Sequence, residues 1–382
     1  MKRTYWLGAG AIALMIVLVI GLRTLRQDPQ NDYLPEDQQS ALESGLTLRD
    51  VTLEQPDEDG NLLWRVQAKT VTYSPDNRNA QVTRPEGELY QDGELLYRVR
   101  ARQGEIRENG EFMYLQGNIV ATGLKNQAVL RGNELEWRAG SEVMIMRDGV
   151  TGTHPQLRLS ADEVMVYDRV ERMDLKGEVV ANTVVADPKT EPWLKLQAEA
   201  LEWRWAAEEV ESAQPLRVER FLNEKITEVA TSNQGLVDLA LNRVTLTDTV
   251  LVQLIDITLK LASDRAIWNV DEEQVLVDQG LRVDSQEQAV TLTAQRGRLE
   301  LGADTVYLNQ DVVAVSQRND GRLSANSLVW NLADQTVVAE GSVNYRQNNP
   351  ALTVRGPRAL GRIEAQTVVV SGGNVVTEIQ PQ

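Results

Sequence analysis

The sequence predicts an all-β protein, an elongated run of bent antiparallel strands behind a single N-terminal transmembrane helix. Two observations carry the β assignment. A small residue, always Ala, Gly or Ser, recurs at 68, 101, 132, 161, 198, 232, 263, 294, 325 and 356, with steps that settle to 31 residues. Such self-similarity marks a repeat architecture in which each unit buries its apolar face on its neighbours. Within each unit apolar and polar residues alternate, which is the period of a strand with one buried face, and helical periodicity is absent.

A third observation concerns the start of the chain. Lys2 and Arg3 precede an uncharged run from Thr4 to Leu22 that ends at Arg23. Nineteen helical residues span about 28 Å, close to the ~30 Å of a bilayer core, and Tyr5 and Trp6 stand where an interfacial belt is expected. No small-residue cleavage site follows, only Gly21-Leu22-Arg23-Thr24-Leu25-Arg26, so residues 1–26 are expected to form an uncleaved membrane anchor. Residues 27–45 are polar, with Asp28, Pro29, Asp32, Pro35, Glu36 and Asp37, and are expected to be a tether.

The repeats follow. Two residues before each small residue stands an apolar one, among them Val66, Val99, Leu130, Leu159, Leu196, Leu261, Leu292 and Leu323. Five residues after it stand Tyr73, Ile106, Trp137, Val166, Trp203, Val237, Trp268, Leu299 and Trp330; Gly361 breaks the pattern in the last unit. Three steps instead of two separate the small residue from the next apolar position, as in Leu196, Ala198, Leu201, Trp203, which predicts a corner or bulge. A second apolar stretch returns through a Gly or Asp corner, as in Leu115-Gln116-Gly117-Asn118-Ile119 and Leu308-Asn309-Gln310-Asp311-Val312. About ten strand-corner-strand units result. The widest step contains Asp187, Pro188, Lys189, Thr190, Glu191 and Pro192, which places a soft boundary near 188.

The segment from Gly45 to about Val185 resembles the periplasmic part of the LptC family of lipopolysaccharide export. The resemblance rests on the single N-terminal span followed by Leu53-Glu54-Gln55, Asp59-Gly60, Trp64-Arg65-Val66-Gln67-Ala68, Gly87-Glu88-Leu89-Tyr90-Gln91-Asp92-Gly93 and Gly117-Asn118-Ile119-Val120-Ala121-Thr122. The later units are similar to the OstA-type repeats shared by LptC, LptA and the N-terminal domain of LptD. The resemblance implies an open β-jellyroll, or β-taco, with an LptC-like part over 46–187 and additional LptA-like repeats over 188–382. It also implies an inner-membrane, single-pass protein whose body lies in the periplasm of a Gram-negative-type bacterium. The expected partners are lipopolysaccharide, an inner-membrane ABC transporter, and an LptA-like or LptD-like jellyroll joined by strand-edge pairing.

A sheet folded into a V must either fill its trough with its own side chains or leave it for an apolar ligand. The residues alone are compatible with interdigitated core packing, since bulky and small residues alternate from unit to unit. The resemblance implies instead that the stripe lines an acyl-chain groove. That lining would comprise Trp64, Val66, Tyr97, Val99, Leu130, Trp137, Leu159, Val166, Leu196 and Trp203, continued by Leu261, Trp268, Leu292, Leu299, Leu323 and Trp330.

Composition narrows the function classes. Fifty-six acidic against 39 basic residues give a net charge of −17, which disfavours nucleic acid. There is no cysteine, hence no disulfide, thiolate zinc site or thiol nucleophile, and His154 is the single histidine, so no histidine metal cluster can form. His154 precedes Pro155 and reads as an exposed turn residue. The acidic pairs Glu208-Glu209 and Glu272-Glu273 and the run Asp57-Glu58-Asp59 sit where solvated loop tips are expected. No enzymatic role and no cofactor is expected. Three classes are weighed: a lipid conduit, a structural envelope β-solenoid with a filled interior, and a carbohydrate-active β-helix. The last is disfavoured by the antiparallel strand-corner-strand units.

Overall fold

A computed structural model describes residues 46–379 apart from 58, 349, 350, 366 and 374. The expected anchor and tether lie outside the described residues. Among those described there are 27 strands and three short 3-10 turns, and no helix is long and apolar enough to cross a membrane. The body is therefore all-β, as the period of two requires.

All pairing is antiparallel and joins crossings that follow one another in the chain, some of them split at the crease into two short strands, as Ala80–Thr83 and Glu86–Gln91 both pair with Leu62–Tyr73. The chain thus runs back and forth across one continuous, sharply creased sheet. The crease is built from corners at mid-strand. Gln116 pairs with Glu134 and Ile119 with Gly132, so Gly117 and Asn118 lie opposite Asn133 alone. The same two-against-one bulge recurs at Gly177-Glu178, Asp248-Thr249, Gln310-Asp311 and Gly341-Ser342. Both residues of every one of these pairs have positive φ. Gly, Asn and Asp tolerate that conformation because a small side chain avoids the following carbonyl. The sequence pattern marks a corner both after the small residue and in the returning Gly or Asp stretch; the structure puts the extra residue in the returning stretch, and the small residue leaves room beside it. Gly132, for example, is buried with the Arg147 carbonyl 3.2 Å from where a Cβ would stand.

The crease divides every long strand into two arms and the sheet into two facing walls. The first wall carries the apolar residues two before each small residue, such as Val99 and Leu130; the second carries those five after it, such as Trp137 and Val166. Inward residues of both walls join one hydrophobic cluster extending from Trp64 to Ala359. Sheet pairing continues through the Pro-punctuated segment near 188. There Arg172–Thr183 pairs with Trp193–Arg204 along most of its length, including Ala181 with Leu196 and Met173 with Trp203. At the far ends, among the described residues, the Thr47–Pro56 strand pairs on one side only, as do the short strands Thr367–Ser371 and Val376–Ile379.

The corners give a direct test. A Cβ on Gly149 (φ +67°) meets no atom within 4 Å, whereas one on Gly177 (φ +77°) falls 2.7 Å from the Asp162 Cβ. Gly149→Ala is expected to cost about 1 kcal/mol for the left-handed backbone alone, and Gly177→Ala about 1 kcal/mol more because the neighbouring side chain must move. Urea midpoints of the two variants measure the difference; equal midpoints would show that the crease does not hold the strands this closely.

Candidate functional site: the two-walled interior and its mouth

All sixteen residues expected to line a groove are in the interior, and each is 8% exposed or less. Val66, Val99, Leu130, Leu159, Leu196, Leu261, Leu292 and Leu323 lie on the first wall with Trp64 and Tyr97. Trp137, Val166, Trp203, Trp268, Leu299 and Trp330 lie on the second. The walls rest on each other, so Trp137, Val166 and Trp268 reach 0% exposure. Burial of this extent is what sequestering an apolar stripe from water produces.

The two walls share the crease; at the opposite edge, the mouth, they are joined by side chains. Trp64 on the first wall donates its indole N–H to the carbonyl of Gly110, in a tip turn of the second wall, at 2.8 Å. A Cβ at Gly110 (φ +100°) would stand 2.5 Å from Gln55 Oε1 and 2.9 Å from the Trp64 ring, so glycine is required there. Gln91 Nε2 donates to Glu142 Oε2 at 2.5 Å, and Arg169, which also holds Glu142, lies 3.7 Å from Asp92. Further along, Arg220 is 4% exposed and meets Glu228 on its own wall at 3.1 Å and Glu273 across the mouth at 2.9 Å. A buried guanidinium needs such partners, and removing one would leave an uncompensated charge.

Another of these clasps is uncharged on one side. Tyr97 Oη donates to Asp168 Oδ1 at 3.1 Å, while Asn126 Nδ2 donates to Tyr97 Oη at 2.5 Å and to Asp168 Oδ1 at 3.4 Å. The Asn126 carbonyl oxygen in turn accepts from the Ala128 N–H at 3.0 Å. Burial pushes the Asp168 carboxyl up to about 6, with the Tyr97 hydrogen bond opposing. Burial, and then the Asp168 charge, holds the Tyr97 phenol well above its usual range.

His154 departs from the expectation of an exposed turn residue. It is half-buried, its ring stacks edge-on against Trp203 of the facing wall with centroids 4.7 Å apart, and its Nδ1 accepts from the Gln156 N–H at 3.1 Å. Burial lowers its pKa, so it is neutral at pH 7. Glu273, expected at a solvated tip, is instead the cross-mouth partner of Arg220. Sequence reasoning also missed Gln91, Asn126, Glu142 and Asp168, because these partners lie 29 to 71 residues apart and off the repeat's apolar phase.

Toward the C-terminal end a cavity of about 110 Å³ separates the walls at the mouth, between Val290, Leu323 and Tyr345 on one side and Trp330, Ile363 and Val368 on the other. A larger hollow of about 420 Å³ lies on the second wall, bordered by Ile267, Leu276 and Tyr307. No group of acidic and histidine side chains that could hold a metal ion is found among the described residues.

Residues 11–184 match the family model for lipopolysaccharide-assembly, LptC-related proteins. No curated protein matches the chain.

Asp168 yields a pH prediction. The folded carboxyl keeps its proton up to about pH 6, the unfolded one only to about its ordinary 3.8, so between these values the folded state binds more protons. Its contribution to stability is full below about 3.8 and is lost as pH rises through 6. Asp168→Asn removes the charge and keeps an acceptor for Tyr97. Its melting temperature is expected to exceed that of the parent at pH 7.5, with the gap closing towards pH 4; a gap independent of pH would contradict the assignment.

Proposed function

Since residues 11–184 form an LptC-related segment, a family with a role in lipopolysaccharide transport, we propose that this chain is a membrane-anchored periplasmic conduit of lipopolysaccharide export. It accepts lipid from an inner-membrane ABC transporter, holds the acyl chains between its walls and passes them along the interior towards the outer membrane. ATP hydrolysis by the transporter supplies the work, and this chain catalyses no step. Residues 1–26 anchor it and 27–45 tether the body. The 46–187 part receives the lipid and the repeats of 188–382 extend the path.

One observation carries this reading. The mouth is closed by side-chain pairs, Trp64 to Gly110, Gln91 to Glu142, Tyr97 to Asp168 and Arg220 to Glu273, and the backbone ladders run within the walls. Parting the walls therefore breaks a few side-chain contacts and leaves the sheet intact, and a new apolar surface is offered at the moment an acyl chain can cover it. At ~4.8 Å per strand, some twenty crossings give a path of roughly 95 Å before twist shortens it. The C-terminal edge, with Val369 and Val376 more than half exposed, suits backbone pairing with an LptA-like or LptD-like jellyroll.

The near-zero exposure of the interior favours a second reading, a structural envelope scaffold whose core is permanently filled. Photo-reactive residues separate the two. Val99 and Leu159 point inward, whereas Arg98 and Arg158 are exposed on the same strands. In cells, label at Val99 or Leu159 is expected to give ultraviolet-dependent adducts with lipopolysaccharide, and label at Arg98 or Arg158 to give few, because neighbours on a strand face opposite sides. Equal labelling of both sets, or none at the inner positions, would rule out the conduit.

A further inference from the structure

Trp137, Trp203, Trp268 and Trp330 hold the same position in the repeat and lie on every fourth crossing of the second wall, roughly 19 Å apart. All four are at most 1% exposed, and the indole Nε1 of each lacks a hydrogen-bond partner. Trp64, on the first wall, shows what a satisfied indole looks like here, with the Gly110 carbonyl 2.8 Å away.

An indole nitrogen is a donor only, and a buried donor without an acceptor carries an uncompensated desolvation cost. One instance would be an accident of packing. Four at one phase of a repeat are a pattern, and bulk alone does not explain it. Ile106, Val166, Val237 and Leu299 occupy the same phase in the intervening units and close the interior without any polar atom. Trp330 adds a location for a ligand, because it borders the cavity at the C-terminal mouth, whose apolar walls include Val290, Leu292, Val337 and Val368.

We propose that these four indole N–H groups are hydrogen-bond donors to the oxygen atoms of acyl cargo, the ester carbonyls and chain hydroxyls, with the Trp330 cavity as the first such subsite. This rests on the conduit reading and adds a selectivity to it. Apolar walls accept any hydrocarbon chain, whereas a buried donor is satisfied only by a chain that brings an acceptor to it, so oxygenated acyl chains are held in preference to plain ones. A row of equivalent donors also gives a moving chain successive stations of similar affinity.

The test replaces Trp330 in the full chain, in detergent micelles, with 3-benzothienylalanine, which keeps the shape of the indole and lacks the N–H. Binding of purified lipopolysaccharide is expected to weaken roughly three- to tenfold, the worth of one neutral hydrogen bond. The melting temperature without lipid is expected to stay level or rise, since an unpaired donor has been removed. In the parent, the Trp330 indole ¹⁵N–H resonance is expected to move downfield on adding lipopolysaccharide. Unchanged affinity, or a fall in lipid-free stability that reveals a protein or water partner, would overturn the inference and leave the conduit standing. Failure of the parent to bind lipopolysaccharide at all would remove the conduit and the inference together.

Discussion

Where the backbone hydrogen bonds run decides what this molecule can do. Every long strand turns a corner at mid-length, and its pairing with the next strand continues on both sides of that corner. The crease is thus a line of hydrogen-bonded bulges, with residues such as Gly117 and Asn118 held at positive φ, and it resists opening. The mouth has no such ladder. It is held by apolar contact and by a handful of side-chain pairs worth about a kcal/mol apiece in ordinary cases, more where a charge is buried. The sheet is a hinge with one strong edge and one weak one.

The clasps are arranged unevenly along that weak edge. Trp64, Gln91, Tyr97 and Arg220 each reach a tip turn of the opposite wall that lies 46 to 71 residues further along the chain. A residue on the first wall thus faces strands several crossings ahead of its own, as expected of a strongly twisted sheet folded on itself. Among the described residues these pairs end at Arg220–Glu273, and C-terminal to them lies the cavity bordered by Trp330 and Tyr345. Three of the four pairs, Trp64–Gly110, Gln91–Glu142 and Tyr97–Asp168, lie within residues 64–168.

Much of the fold was legible in the sequence because burial in a repeat is periodic. The apolar positions before and after each small residue, such as Leu130 and Trp137 around Gly132, face the interior as their phase requires. Corner pairs such as Gly177-Glu178 and Gln310-Asp311 were readable because each puts a Gly or Asp, which accepts positive φ, between two apolar positions. The site's polar half was not legible. Asp168 sits in a short tip turn and looks like any solvated turn carboxylate until folding sets Tyr97 and Asn126 against it. Glu273 belongs to an acidic pair that reads as a loop tip, and only the folded sheet brings Arg220 beside it. His154 gains its burial from Trp203, 49 residues away. A single sequence carries the period of the walls and holds no record of how far one wall is skewed against the other.

The central claim is that the mouth must part for lipid to travel between the walls. It can be tested by locking the mouth, and the absence of native cysteine leaves the chain clear for that purpose. With Gln91→Cys and Glu142→Cys, joined by a short bis-maleimide that carries a cleavable link, delivery of newly made lipopolysaccharide to the outer membrane is measured before and after the link is cut. The account requires delivery to stop while the walls are tied and to resume on cleavage, with a crosslink between two cysteines on one wall having no effect. Undiminished delivery with the mouth tied shut would show that lipid does not pass between these walls.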